Sequence, residues 1–191
     1  MRRVYLIRHG EPQSGWGQAG DPDPGLSDRG REQAEAARDA LLALPPELRP
    51  VRVVSSPIRR CRETAAPLAA ALGVEPEIDP AVGEVPTPAD LPEAERPAWL
   101  RRAFEGRWSD IRGDRDYDQW RRAVAEAAAR HAGVAVFSHF VAINAVLSWA
   151  AGEERVVVAR PDHASIHAFE VSDEGVLTLV EQGREARTGV L

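Results

Sequence analysis

The amino-acid sequence predicts an α/β fold, a three-layer sandwich with a mostly parallel central sheet and helices on both faces. Three observations predict it: short apolar runs rich in β-branched residues, amphipathic helical segments that alternate with them, and polar, chemistry-bearing residues at the carboxyl end of each run. Val4-Tyr5-Leu6-Ile7, Val51-Arg52-Val53-Val54 and Val134-Ala135-Val136-Phe137 are the runs, each bounded by turn signals as buried strands are.

Between the first two runs, Ala34, Ala37, Leu41 and Leu44 recur at helical spacing, opened by Ser27 as N-cap and stopped by Pro45-Pro46. The second helix carries Ile58, Cys61, Ala65, Leu68 and Leu72 on one face. Ser56 is expected at its N-cap, Pro57 at its first position, Pro67 as a kink and Gly73 beyond its end. Tyr117, Trp120, Val124, Ala128 and His131 mark a further helix closing at Gly133, and Ile143, Leu147 and Ala150 mark the one after the third strand. Ser165 to Val171 and Val176 to Glu181 flank Asp173-Glu174-Gly175 and read as a hairpin or paired edge strands. Residues 85–112 are punctuated by prolines, with Trp99, Phe104 and Trp108 at roughly helical spacing, read as helix core.

The chain has 191 residues, and we expect residues 1–191 to form one domain without a linker. It holds 24 basic and 30 acidic side chains, a net charge of -6, and every basic side chain is arginine, a composition bias. No basic block long enough to track a nucleic-acid backbone appears, so no nucleic-acid partner is expected. A single cysteine, Cys61, excludes an intrachain disulfide and suits a reducing compartment. The apolar run after Met1-Arg2-Arg3 meets Arg8 at once, too early for a signal peptide, and no apolar stretch is long enough to span a bilayer. A cytoplasmic location without membrane association is the resulting expectation. The oligomeric state is left open.

The residues that follow the strands carry the chemistry. After the first comes Arg8-His9-Gly10-Glu11, after the second Ser55-Ser56-Pro57-Ile58-Arg59-Arg60, after the third Ser138-His139. Arg offers a planar fork of donors that fits phosphate oxygens, and helix N-termini add partial positive charge. A neutral His9 imidazole can attack phosphorus, and cationic neighbours favour that neutral form. Arg8, Arg60 and His139 suit the holding of phosphate oxygens in a loose, in-line transition state. Arg59 and Arg62 lie on the same helix as Arg60 and compete for its role.

Leu6-Ile7-Arg8-His9-Gly10-Glu11 resembles the signature of the histidine phosphatase superfamily, also called phosphoglycerate mutase-like. Leu26-Ser27-Asp28-Arg29-Gly30-Arg31-Glu32-Gln33-Ala34 is similar to a second family block, and Ser55-Ser56-Pro57-Ile58-Arg59-Arg60-Cys61-Arg62-Glu63-Thr64-Ala65 to a third. Ser138-His139 gives a fourth ordered match; together they cover most of residues 1–72 and 133–172. The resemblance implies a phosphomonoesterase acting on a small phosphorylated compound, with His9 as nucleophile, a phosphate pocket of Arg8, His9, Arg60 and His139, and a carboxylate proton donor between the second and third strands. Glu84, in Val82-Gly83-Glu84-Val85 after the strand-like Glu77-Ile78-Asp79, stands about where that donor falls; Glu75, Glu77 and Glu93 compete.

The sequence also departs from the family. Phe140-Val141-Ala142-Ile143-Asn144 follows His139 where many members have Gly and later Arg, the usual Asn after the first motif is replaced near Ser14-Gly15, and no Trp-Glu-Gly follows Glu84. Phe140 and the Pro-rich segment point to a more apolar or differently shaped entrance. His163 is as open to a structural as to a functional role, whereas His131 and His167 read as structural or exposed.

Metal-dependent hydrolysis is the competing chemistry, since His9, His139, His163 and Glu84 are ligand types. No His-Glu-x-x-His spacing is present and two arginines would repel a divalent cation, so no metal and no cofactor are expected. A phosphoglycerate-mutase-type phosphotransferase and a non-catalytic phosphate-binding module are the alternative functions.

Overall fold

The structure, a computed structural model, describes residues 2–14 and 20–187. It is built on a six-stranded sheet of spatial order β3-β2-β4-β1-β5-β6. The strands are β1 (Arg2–Arg8), β2 (Arg52–Ser55), β3 (Glu77–Ile78), β4 (Val134–Ser138), β5 (Ile166–Val171) and β6 (Leu177–Glu181). The first four run parallel, and β5 and β6 extend the sheet beyond β1 as the antiparallel hairpin that the tail predicts. Among the described residues five helices cover it: α1 (Asp28–Leu42), α2 (Arg59–Leu72), α3 (Arg96–Glu105), α4 (Tyr117–Arg130) and α5 (Phe140–Ala151).

The β1 run is apolar throughout because it is buried on both faces, and successive side chains serve opposite layers. Val4 and Leu6 join Val54 and Val136 in the core beneath α3, α4 and α5. Tyr5 and Ile7 join Val53, Ala135 and Phe137 beneath α1 and α2.

Local expectations fared unevenly. Ser27 caps α1 by accepting from the Gly30 amide, and Gly73, at φ +67°, ends α2 in the left-handed conformation. Strand β2 starts one residue late, leaving Val51 exposed. Ser56 does not cap α2; the helix begins at Arg59 after Ile58, because the Ser56 hydroxyl is engaged elsewhere. Asp23 takes the cap instead, its carboxylate accepting from the Arg59 amide at 3.0 Å. Helix α2 continues unbroken through Pro67. Trp108 is core as read, but it lies in a separate short turn, Trp108–Asp110, after Gly106 ends α3. Ser14 is described and Gly15 lies outside the described residues.

His167 is fully buried in β5, where its Nδ1 accepts from the Gly183 amide at 3.1 Å. Burial pushes its pKa down to about 4 from 6.5. A folded pKa below the unfolded one gives stability that is complete above the unfolded value and drains away as pH falls toward the folded value. Stability should therefore decline as pH drops from 6.5 toward 4. In His167→Gln, the decline between pH 7 and pH 5 should be smaller by on the order of 2 kcal/mol, read from urea unfolding at both pH values. An unchanged decline would assign the acid sensitivity to other groups.

Candidate active site

Three strand ends assemble the site. β1 pairs with β4 in a register that sets Arg8 beside Ser138, and the His9 amide continues the ladder by donating to the Ser138 carbonyl at 3.0 Å. His9 and His139 therefore emerge side by side, ring centroids 5.4 Å apart. The Ser56 amide extends β2 in the same way onto the Phe137 carbonyl at 3.0 Å, which delivers α2 and Arg60 to the same crevice.

His9 is 6% exposed. Its Nδ1 lies 2.8 Å from the Gly10 carbonyl, which can only accept, so Nδ1 carries the proton and Nε2 keeps its lone pair. Burial, reinforced by His139, Arg60 and Arg8, holds the imidazole well below its ordinary pKa and thus neutral. Gly10 must be glycine: a Cβ there would stand 2.6 Å from the Gly30 carbonyl, and one at Gly30 would meet the Glu11 carbonyl more closely still. This contact of two glycines seats the loop after β1 on the first turn of α1.

Arg8 is buried, its Nη1 donates to the Pro161 carbonyl at 2.8 Å, and its guanidinium lies 5.4 Å from the centre of the Phe140 ring. Burial lowers its pKa to about 10, so it stays charged at neutral pH. Phe140 corrects an expectation. It does sit beside Arg8, but it is buried and packed against Phe104 at 5.4 Å, so it supports the guanidinium and exposes almost no apolar surface of its own to an entrance.

On α2, Arg60 turns inward to within 3.5 Å of His139 Nδ1. Arg59 points outward to Glu63 at 2.8 Å and Asp21 at 3.7 Å, and Arg62 is exposed. Glu84 is half-buried, with its carboxylate across the first turn of α5: Oε1 accepts from the amides of Val85 at 2.9 Å and Ala142 at 3.1 Å, Oε2 from Val141 at 3.2 Å. Burial pushes its pKa up, against these three amides. The competing Glu75, Glu77 and Glu93 are exposed, Glu77 in an ion pair with Arg52.

His139 is fully buried at the N-terminus of α5, held well below its ordinary pKa by burial and then by Arg60 and Arg8. Its Nε2 lies 2.8 Å from Ser56 Oγ. A guanidinium only donates, so the contact with Arg60 makes Nδ1 the acceptor and leaves the N–H of the neutral ring on Nε2, where it donates to the Ser56 hydroxyl. Cys61, with Sγ 3.4 Å from the same nitrogen, has its thiol pKa pushed up to about 12 by burial and stays protonated.

The structure thus brings Arg8, His9, Arg60, Glu84 and His139 together. It adds His163, whose ring centroid is 5.8 Å from that of His9, and leaves His131 paired with Asp79 at 2.7 Å and His167 within the sheet. Among the described residues no three His, Cys, Asp or Glu side chains are grouped to hold a metal ion, and no helix is long and apolar enough to cross a membrane.

Sequence reasoning missed three supporting side chains. Ser56 reads as a cap. Thr64 stands within a matched block with no role assigned, yet its buried Oγ1 accepts from the Gly10 amide at 2.9 Å and donates to the Arg60 carbonyl at 2.6 Å, tying the loop of His9 to the helix of Arg60. Ser138 donates to the Val82 carbonyl at 2.6 Å and anchors the segment that carries Glu84.

With this fold and these residues at the strand ends, the chain belongs to the histidine phosphatase superfamily (branch 1), whose family model matches residues 4–182. A glucosyl-3-phosphoglycerate phosphatase of Mycolicibacterium vanbaalenii is 38% identical over 81 residues, 41% of this chain and only 34% of that protein. The fold is shared with a phosphoserine phosphatase of Entamoeba histolytica (TM-score 0.73, 16% identity, 96% of this chain and 98% of that one). It is also shared with a mycobacterial glucosyl-3-phosphoglycerate phosphatase bound to inorganic phosphate (TM-score 0.70, 21% identity, 99% and 100%).

Thr64→Val should cost about 1–3 kcal/mol, because it strands the buried Gly10 N–H without an acceptor, whereas Thr64→Ser should stay near wild type. Denaturant midpoints decide this. Equal stability of the two variants would mean that another group satisfies Gly10.

Proposed function

We propose that the chain hydrolyses small phosphomonoesters through a phosphohistidine on His9, with Glu84 as proton donor. The observation that carries the proposal is a neutral imidazole, Nε2 free, beside two inward-facing arginines that form no salt bridge among the described residues. A dianionic phosphoryl group supplies the charge they lack. The names of the relatives, phosphatases of glucosyl-3-phosphoglycerate and phosphoserine, agree with a small phosphorylated substrate.

In the first step His9 Nε2 bonds to phosphorus, the ester P–O bond breaks, and the departing oxygen takes the Glu84 proton. In the second the Glu84 carboxylate removes a proton from water, the resulting oxygen attacks phosphorus, and the P–N bond breaks to free phosphate and His9. Arg8, Arg60 and His139 hold the equatorial oxygens throughout. Chelators should leave the rate unchanged, since two guanidiniums in the crevice oppose a divalent cation.

An alkyl phosphate expels a strongly basic alkoxide and needs a placed acid, worth roughly 10²–10⁴-fold, whereas an activated aryl phosphate does not. Glu84→Gln should therefore cripple turnover of alkyl phosphates and, with an aryl phosphate, give a burst of phenol while acid-labile phosphate accumulates on His9. Because burial raises the Glu84 pKa and lowers that of His9, kcat/KM should fall at high pH as Glu84 ionises and at low pH as His9 protonates. Glu84→Gln should remove only the high-pH fall. Equal losses with both substrate classes and no burst would reject Glu84, and label on serine or aspartate would reject the mechanism.

Arg60→Lys should lose most activity and bind vanadate more weakly although charge is kept, because an ammonium cannot offer the guanidinium fork. Near-normal turnover would transfer the role to Arg59 or Arg62.

A further inference from the structure

The segment 161–165 is bound to the nucleophile strand more tightly than a surface connection requires. The Pro161 carbonyl accepts from Arg8 Nη1, the Arg8 amide donates to the Ser165 carbonyl at 3.2 Å, and the Ala164 amide is shared between the carbonyls of Arg8 at 3.0 Å and His9 at 3.3 Å. The turn closes on itself through Ser165 N to Asp162 O at 3.1 Å, and the His163 amide donates to Asp162 Oδ1 at 2.8 Å.

At its apex Ala164 adopts φ +57°, the only non-glycine positive φ among the described residues. A Cβ-bearing residue is strained there, and such strain persists only where the surroundings over-determine it. The consequence of the strained turn is the placement of His163. Its ring is tilted 46° to that of His9 at 5.8 Å, nearly the separation of His139 from His9. Unlike His139, His167 and His131, whose rings are held by Ser56, by Gly183 and Ser165, and by Asp79, the His163 ring makes no hydrogen bond among the described residues. It is half-buried, and Asp162, Glu11 and Arg29 are the charged neighbours besides Arg8.

We infer that His163 is a further catalytic residue, whose ring N–H donates to an equatorial oxygen of the phosphoryl group at His9, opposite the contact made by His139. The inference rests on the phosphohistidine reading for its catalytic meaning, but the binding contact stands on geometry alone. Two imidazoles flanking the nucleophile at similar distances leave the in-line direction to the leaving group and Glu84. His163 therefore acts on the phosphoryl group common to all substrates and not on the alcohol that distinguishes them. Burial and Arg8 keep its pKa down at about 4, so at neutral pH it enters as an uncharged donor.

The test is orthovanadate binding to the full chain, measured by competition against an aryl phosphate and by direct calorimetry, for wild type, His163→Ala and His163→Asn. A hydrogen bond to a charged group predicts a loss of roughly 10–100-fold in vanadate affinity for His163→Ala. His163→Asn, which keeps an uncharged donor and suits a turn, should recover most of it. The fall in kcat/KM should be the same for alkyl and aryl phosphates. Wild-type vanadate affinity in His163→Ala would overturn the contact. So would equal loss in both variants accompanied by equal drops in unfolding midpoint, which would leave His163 as part of the turn only. Failure of the wild type to form phosphohistidine would overturn the proposed mechanism instead, while the vanadate titration would still decide the His163 contact.

Discussion

Exclusion of water from the crevice at the ends of β1, β2 and β4 is the constraint on which the rest of the site depends. Desolvation disfavours whichever form of a group is charged, so one physical cause acts oppositely on acids and bases. It leaves His9 and His139 neutral and pushes Glu84 toward its protonated form. Those are the states that attack on phosphorus and departure of an alkoxide demand. Arg8 resists the same pressure because a guanidinium titrates so high that a fall to about 10 leaves it charged. Glu84 and Asp162 are the carboxylates near Arg8, but among the described residues neither Arg8 nor Arg60 forms a salt bridge, an arrangement that a bound phosphate would complete.

Such a site is costly to hold, and the backbone bears the load. His9 and Ser56 continue strand ladders past the last paired residue, so both site segments begin under sheet control. Thr64 joins the His9 loop to the Arg60 helix, Ser138 joins the end of β4 to the segment carrying Glu84, and the first turn of α5 presents its free amides to that carboxylate. This last contact satisfies a helix N-terminus and fixes an acid at once, and it favours the ionised carboxylate while burial favours the protonated one. Two opposing effects on one group are suited to an acid that must give up its proton and then take one back.

How legible this was depends on the range of each interaction. The strands and the chemistry at their ends were legible because burial on both faces leaves continuous apolar runs, and the residue after such a run is where a parallel sheet opens to ligand. Ser56 misled because Ser before Pro reads locally as a cap, whereas its partner, His139, lies 83 residues away. Phe140 read as part of a more apolar entrance, since the sequence does not say whether a side chain at a helix N-terminus opens to solvent or packs on a guanidinium. Arg60 was assigned over Arg59 and Arg62 by the resemblance and not by local pattern, because one residue of helix phase decides which of the three faces inward. The strained turn at Ala164 left no signal at all. Alanine carries no preference for positive φ, and only tertiary contacts hold it there.

The same charge logic bears on the choice of substrate. The chain carries a net charge of -6, while its crevice gathers Arg8 and Arg60. A polyanion that extends beyond the crevice would meet the repulsive field of the surrounding surface, whereas a compact monoester presents its charge only where the arginines stand. Glu11 and Asp162 add to this at the rim, since both lie close enough to His163 to act on it. A carboxylate on the substrate close to the ester would have to sit away from these two side chains and toward Arg29, which shares the same neighbourhood. On the proposed function, selection among phosphomonoesters then falls to this rim. The phosphoryl pocket itself has no means to tell one alcohol from another.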